Sequence, residues 1–385
     1  MRGMRDHSGF LLSVLTRWLP SHVAESLRPR SQPAHVLFCM VDHYEPGTGQ
    51  VDLSIEKKRM AELLAKYPPL ADAHADASGR HPRRTWFFPP HYHRHGNLRE
   101  LVSLCQRGYG EIELHLHHGK TLPDTPENLR HTIRLCLRDY SQFGIFGAED
   151  GRQRYGFIHG DFALNNSLPG GRSCGVDDEL SILKESGCYA DFTFPSCERS
   201  NPAQINCVYY ANVDLHRPKA YASGVLARAG AGPQAGLLMV QGPVRPVWIE
   251  GRLTFGDGIN NRRPPTRKLI DAWVGTSIHV AGKRDWIIVK VHTHGAANAE
   301  AVLGDVMHEA FSHLEAIYND GSAYVLHYVT ARELYNIIRA AEEGEIGEPD
   351  EYRDYRVGPP CYDSSPDILE ASEELREAVS RTYSG

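Results

Sequence analysis

Short apolar runs, each closed by a polar or Gly/Pro cluster, recur along the chain: HVLFCMV (35–41), RTWFFPP (84–90), EIELHLH (111–117), YGFIHG (155–160), YADFTFP (189–195), GLLMVQGP (236–243), WIIVKVH (286–292) and YVLHYVT (324–330). Their length and their content of β-branched and aromatic residues predict strands. Between them, 54–67, 96–108, 125–143, 177–187 and 298–318 carry the apolar spacing of amphipathic helices. Strand and helix alternate almost throughout, which predicts an α/β fold on a parallel sheet, closed or nearly closed as a barrel.

Two stretches break this rhythm. Residues 200–235 and the Pro-, Arg- and Asn-rich 244–267 read as long insertions of the kind that wall a substrate site. The chain then divides into an N-terminal amphipathic segment (1–33), a barrel (34–345) and an acidic, Pro/Gly-rich C-terminal tail (346–385), expected as a surface appendage without chemistry.

Composition narrows the partners. With 385 residues, 41% hydrophobic, the chain can bury a large core. A formal charge of -6 gives no broad basic field, so nucleic acid is not expected, and a small-molecule or oligosaccharide substrate is. No run approaches the roughly 18 to 20 apolar residues of a spanning helix. Arg17 interrupts the apolar run near the start, and the eight cysteines lack any CxxC pair. Free thiols and a cytoplasmic location are expected, with a homo-oligomer left open.

In a parallel barrel the carboxyl ends of the strands share one rim, so polar residues at those ends converge. The first strand breaks into VDHYEPG with Asp42, His43 and Glu45. Alternation along the third places Glu111, Glu113, His115 and His117 on one face and His118 on the other. The fourth ends with His159 and Asp161, and the seventh with Lys290, His292 and His294. Imidazoles and carboxylates gathered this way are the donors zinc or another borderline divalent ion takes. GxGxxG and GxxxxGK[ST] motifs are absent.

These residues resemble the polysaccharide deacetylase superfamily, over roughly residues 34–345. MVDHYEP stands where that family has TFDDGP, with His43 in place of the second aspartate. GEIELHLHHG is similar to its histidine motif and to the GLHL of chitooligosaccharide deacetylases, and DWIIVKVHTH to its final, general-acid histidine strand. The resemblance implies a distorted (β/α) barrel of seven or eight strands and metal-dependent removal of acetyl groups from amino sugars or glycoconjugate intermediates. It implies His43, His115 and His117 as ligands of zinc (or cobalt, nickel or manganese), Asp42 as base and His292 as acid. Glu45, His159, Asp161 and His294 are second-shell or substrate-contacting candidates. Asp42 as a ligand, with Glu45 or Asp161 as base, and His294 as the acid remain open. HYEPG is also similar to a metal motif of retaining α-mannosidases, so a metal-dependent glycosidase is the alternative, with Asp161 or Asp191 as nucleophile. A non-catalytic carbohydrate- or partner-binding barrel is a second alternative.

Overall fold

The computed structural model describes residues 14–26, 30–196, 200–249 and 251–383. Its central sheet contains β1 (Ala34–His43), β2 (Arg84–Phe88), β3 (Gly110–Leu116), β4 (Tyr155–His159), β5 (Cys188–Asp191), β6 (Val208–Ala211), β7 (Gly224–Leu226), β8 (Leu237–Val240), β9 (Gly258–Ile259), β10 (Trp286–Thr293) and β11 (Tyr324–Tyr328). The helices are α1 (Leu19–Ser26), α2 (Leu53–Asp72), α3 (Asn97–Gln106), α4 (Pro126–Ser141), α5 (Glu179–Glu185), α6 (Arg267–Thr276), α7 (Ala299–Val302), α8 (Asp305–Tyr318), α9 (Ala331–Glu343) and α10 (Glu373–Ser380).

The eleven strands run in the order β9-β10-β1-β2-β3-β4-β5-β8-β6-β7, with β11 also beside β1. Each of the eight predicted runs supplies a strand, and their pairings are parallel. One edge of β1 is shared: Ala34–Phe38 pair with β11, and Met40–His43 with β2. The 200–235 insertion adds β6 antiparallel to β8, and β7 antiparallel to β6 at the edge. The sheet is therefore a mostly parallel, curled half-barrel, and isolated bridges from Arg228 to Ala281 and from Ile278 to Ile288 link the stretch after β7 to β10.

Alternation sorts the side chains. Val36, Phe38 and Met40 of β1 pack outwards in the larger apolar cluster with α2 and α3, while Leu37, Cys39 and Val41 face inwards. What they face is α9, whose Leu334, Ile337, Ile338 and Ala341 join the inner cluster. A helix buried on every side needs partners for its polar groups. Arg332 Nη2 donates to Glu111 Oε1 at 2.8 Å, and Arg339 Nη1 to Glu342 Oε2 at 2.7 Å. Thr330 and Glu333 form its capping box, and Gly344 closes it in the left-handed conformation.

Two sequence expectations change here. α2 runs through Pro68 and Pro69 to Asp72, past the end predicted at residue 67, because buried Pro68 and Ala71 hold that last turn. Residues 346–383 lie against the body: Val357 belongs to the inner cluster, and Leu375 of α10 to the outer one. Within the N-terminal segment, α1 follows a π-helical turn, and Trp18 packs with Ile205, Val244 and Phe255; residues 1–13 and 27–29 lie outside the described residues. Among the described residues, no helix is long and apolar enough to cross a membrane, and the seven described cysteines are free.

Candidate metal centre

The strand ends open into a cleft of about 1470 Å³, lined by His43, Glu45, His91, His117, Asp161, Phe162 and His294 among others. At its floor lies Glu45, two residues beyond β1. Its Oε1 is 3.1 Å from His115 Nε2 and is also contacted by His117 Nε2. Its Oε2 accepts from Thr48 Oγ1 at 3.1 Å and lies 3.4 Å from His294 Nε2.

The tautomer of His115 decides what this arrangement can hold. Its Nδ1 donates to the Ile158 carbonyl at 2.8 Å, so in the neutral ring Nε2 carries the lone pair, and that lone pair faces a carboxylate oxygen. Two acceptors at 3.1 Å require a cation between them, either a proton or a metal ion. Glu45, His115 and His117 form one of the groups whose donor atoms all lie within 4.8 Å of one another. The residues fit a divalent ion with nitrogen and oxygen ligands.

Charge in the cleft follows from burial and partners. Burial, with His294 and His115 beside it, holds His43 neutral, well below the ordinary histidine value. Burial lowers His294 to about 4. Burial also pulls His117 down, but Glu45 and Asp161 outweigh it and raise the ring to about 9. Burial alone would raise Glu45, yet His117 and His115 keep its carboxyl well below the usual range.

The remaining expected residues divide. The ring of His43 sits 4.9 Å from that of His115, 4.6 Å from His294 and 5.8 Å from His292, at the centre of the cluster but outside the group that meets at Glu45. His292 Nδ1 donates to Asp257 Oδ1 at 2.8 Å, and Asp257 Oδ2 accepts from buried Lys290 Nζ at 3.0 Å. Asp161 lies 3.7 Å from His117 Nδ1 and 3.4 Å from Lys120 Nζ. Asp42 points to the outer face, where Oδ2 accepts from Arg84 at 3.1 Å and Oδ1 from the Gly295 N–H at 2.8 Å; burial still pushes it up to about 6. His159 also turns outward, to His118 and Glu179, away from the cleft. Asp191 is buried and accepts from the Thr193 hydroxyl and N–H.

Other contributors carry no sequence pattern. Asp257 lies in the loop before the two-residue β9, and Arg84, the partner of Asp42, reads as the first residue of an apolar strand. His91 belongs to the loop cluster HYHRHG, and its ring stacks at 4.5 Å on Tyr383, which closes the cleft from the C-terminal segment. Gly160 is a glycine for a spatial reason: a Cβ there would meet the His117 ring at 2.3 to 2.5 Å. Comparison with protein-family models and with curated proteins finds no match for this chain.

Proposed function

We propose that the protein is a metal-dependent carbohydrate deacetylase, allied to the polysaccharide deacetylase superfamily it resembles, that removes acetyl groups from an amino sugar or glycoconjugate intermediate. The observation that carries this reading is the His115 lone pair held against Glu45 at the floor of an open cleft. Glu45, His115 and His117 would hold the ion, zinc by donor chemistry, with His43 and His294 against them. A divalent ion there supplies a Lewis acid for the acetyl carbonyl and makes water nucleophilic near neutral pH.

The chain's own groups account for the protons. Asp161, the carboxylate exposed in the cleft beside His117 and Lys120, takes the proton from the attacking water. His292, with Nδ1 anchored on Asp257, returns a proton from Nε2 to the leaving amine, so that acetate and a free amino sugar result. Asp42 holds Arg84 and the Gly295 turn that carries His294. Tyr92, Phe162 and Tyr383 along the cleft offer faces on which sugar rings stack.

The test pairs elemental analysis of bound metal in wild type and His115→Ala, each checked by circular dichroism, with acetate release from acetylated saccharides. The expected result is about one ion per chain lost in the folded variant, together with its acetate release. Metal-loaded wild type that releases no acetate, or releases new reducing ends instead, defeats this reading.

A further inference from the structure

On the opposite face of β3 and β4 from the cleft, four donors converge from separate stretches of chain: His118, His159, Cys174 and Glu179. All four are buried, and their donor atoms lie within 4.8 Å of one another. His118 Nε2 is 3.0 Å from His159 Nε2 and 3.1 Å from Glu179 Oε1; His159 Nε2 is 3.5 Å from that same oxygen, and Cys174 Sγ is 3.4 Å from Glu179 Oε2. In a tetrahedral zinc site with bonds of about 2.0 to 2.3 Å, donors stand roughly 3.3 to 3.8 Å apart. The two histidines and Glu179 Oε1 stand at about that spacing, and Cys174 Sγ lies within 4.8 Å of all three.

Each donor is also oriented by a second group. His159 Nδ1 donates to the Gly160 carbonyl at 2.6 Å, which turns the lone pair of Nε2 towards the other three. His118 Nδ1 lies 3.0 Å from Asp124 Oδ2, at ion-pair distance from that carboxylate. Glu179 Oε2 accepts the Asn165 N–H at 2.5 Å and so leaves Oε1 for the centre. Cys174 Sγ accepts the N–H of Asn166 at 3.2 Å and of Val176 at 3.5 Å, two donors that suit a thiolate. The cluster mixes sulfur, nitrogen and oxygen in a set that zinc accepts and that magnesium or calcium does not.

We infer that His118, His159, Cys174 and Glu179 hold a second divalent ion, zinc by class, whose role is structural. All four coordination positions are filled by protein, which leaves no open position for a substrate. Binding expels the Cys174 thiol proton and any proton on His118. The ion ties the ends of β3 and β4 to α5 and to the 160–176 loop, which carries Asp161, Phe162, Leu168 and Ser173 into the cleft wall. This site stands apart from the cleft centre and does not depend on the function proposed above.

Cobalt substitution separates the two centres, because only this one contains sulfur. Full-length protein, stripped and reloaded with cobalt, should show thiolate-to-cobalt charge transfer in the near ultraviolet. The band should persist in His115→Ala and vanish in Cys174→Ser with one ion fewer per chain. If Cys174→Ser does not fold, His159→Gln should weaken or shift the band while keeping the thiol. Cobalt-loaded wild type without the band overturns the inference, as does a band that survives Cys174→Ser or is unaltered in His159→Gln. The cluster is then a proton-filled ion pair of His118 with Asp124 and Glu179.

Discussion

His115 presents Nε2 to Glu45 at 3.1 Å because its Nδ1–H is committed to the Ile158 carbonyl, 2.8 Å away on the neighbouring strand. Strand pairing sets that commitment: β3 and β4 run parallel with His115 opposite Ile158. The backbone therefore fixes the tautomer, and the tautomer turns a histidine and a glutamate into a cation site.

Gly160→Ala should damage the centre without unfolding the protein. The added methyl needs the space of the His117 ring, which must swing away from Glu45. We expect metal affinity in the cleft to fall by about 10-fold or more with circular dichroism unchanged. Unchanged affinity, measured by chelator competition, would remove His117 from the ligand set.

Asp257→Asn tests the acid. An amide in place of the carboxylate no longer holds the proton on His292 Nδ1 or neutralises Lys290 Nζ. Acetate release should drop roughly 10²- to 10⁴-fold while the bound metal stays constant. Loss of metal in step with rate would instead assign Asp257 to support of the ion.

Stability should carry a signature of Glu113, whose oxygens accept from Tyr189 at 2.5 Å and the Gly156 N–H at 2.6 Å inside the half-barrel. Burial pushes its carboxyl up to about 8, so between its ordinary value of 4.5 and about 8 the folded chain holds a proton that the unfolded chain has released. Stability from this group is complete below the lower value and is lost as pH rises through the upper one. Glu113→Gln has no proton to lose. Its stability relative to wild type should rise with pH across this window, by at most about 1.4 kcal/mol per unit, read from urea unfolding at a series of pH values. A pH-independent difference would show that Glu113 does not titrate there.

Arg332 and Arg130 contrast a buried with an exposed ion pair. Arg332→Met leaves Glu111 charged inside the half-barrel and should cost about 3 to 5 kcal/mol. Arg130→Met removes solvated contacts with Glu185 and Asp178 and should change stability by less than about 1 kcal/mol. Equal urea midpoints for the two variants would refute the assignment of α9 as a plug held by buried charge.

Much of the architecture was legible in the sequence because period-two alternation and burial act locally. The runs at 35–41, 111–117 and 286–292 became β1, β3 and β10, and alternation along β3 correctly separated His115 and His117 from His118. Helix α9 was not among the helices read from the sequence, although Thr330, Glu333 and Gly344 cap it; Arg332, Asn336 and Arg339 share a polar face, but that face is buried and paired within the protein rather than solvated.

By itself, the order of residues determined the parallel strand set, the faces of its strands and the gathering of imidazole and carboxylate at one rim, since each follows from backbone geometry over a few residues. Only the tertiary structure decided that Glu45 reaches both His115 and His117 with His43 packed beside His115, that Asp42 turns to Arg84, that Asp257 backs His292, and that His159 joins Cys174 and Glu179 on the other face. These pairings link residues tens to hundreds of positions apart. They are set by strand register, by the twist of the last residue before each loop and by which neighbour fills the remaining space, and none of these is written in a local pattern.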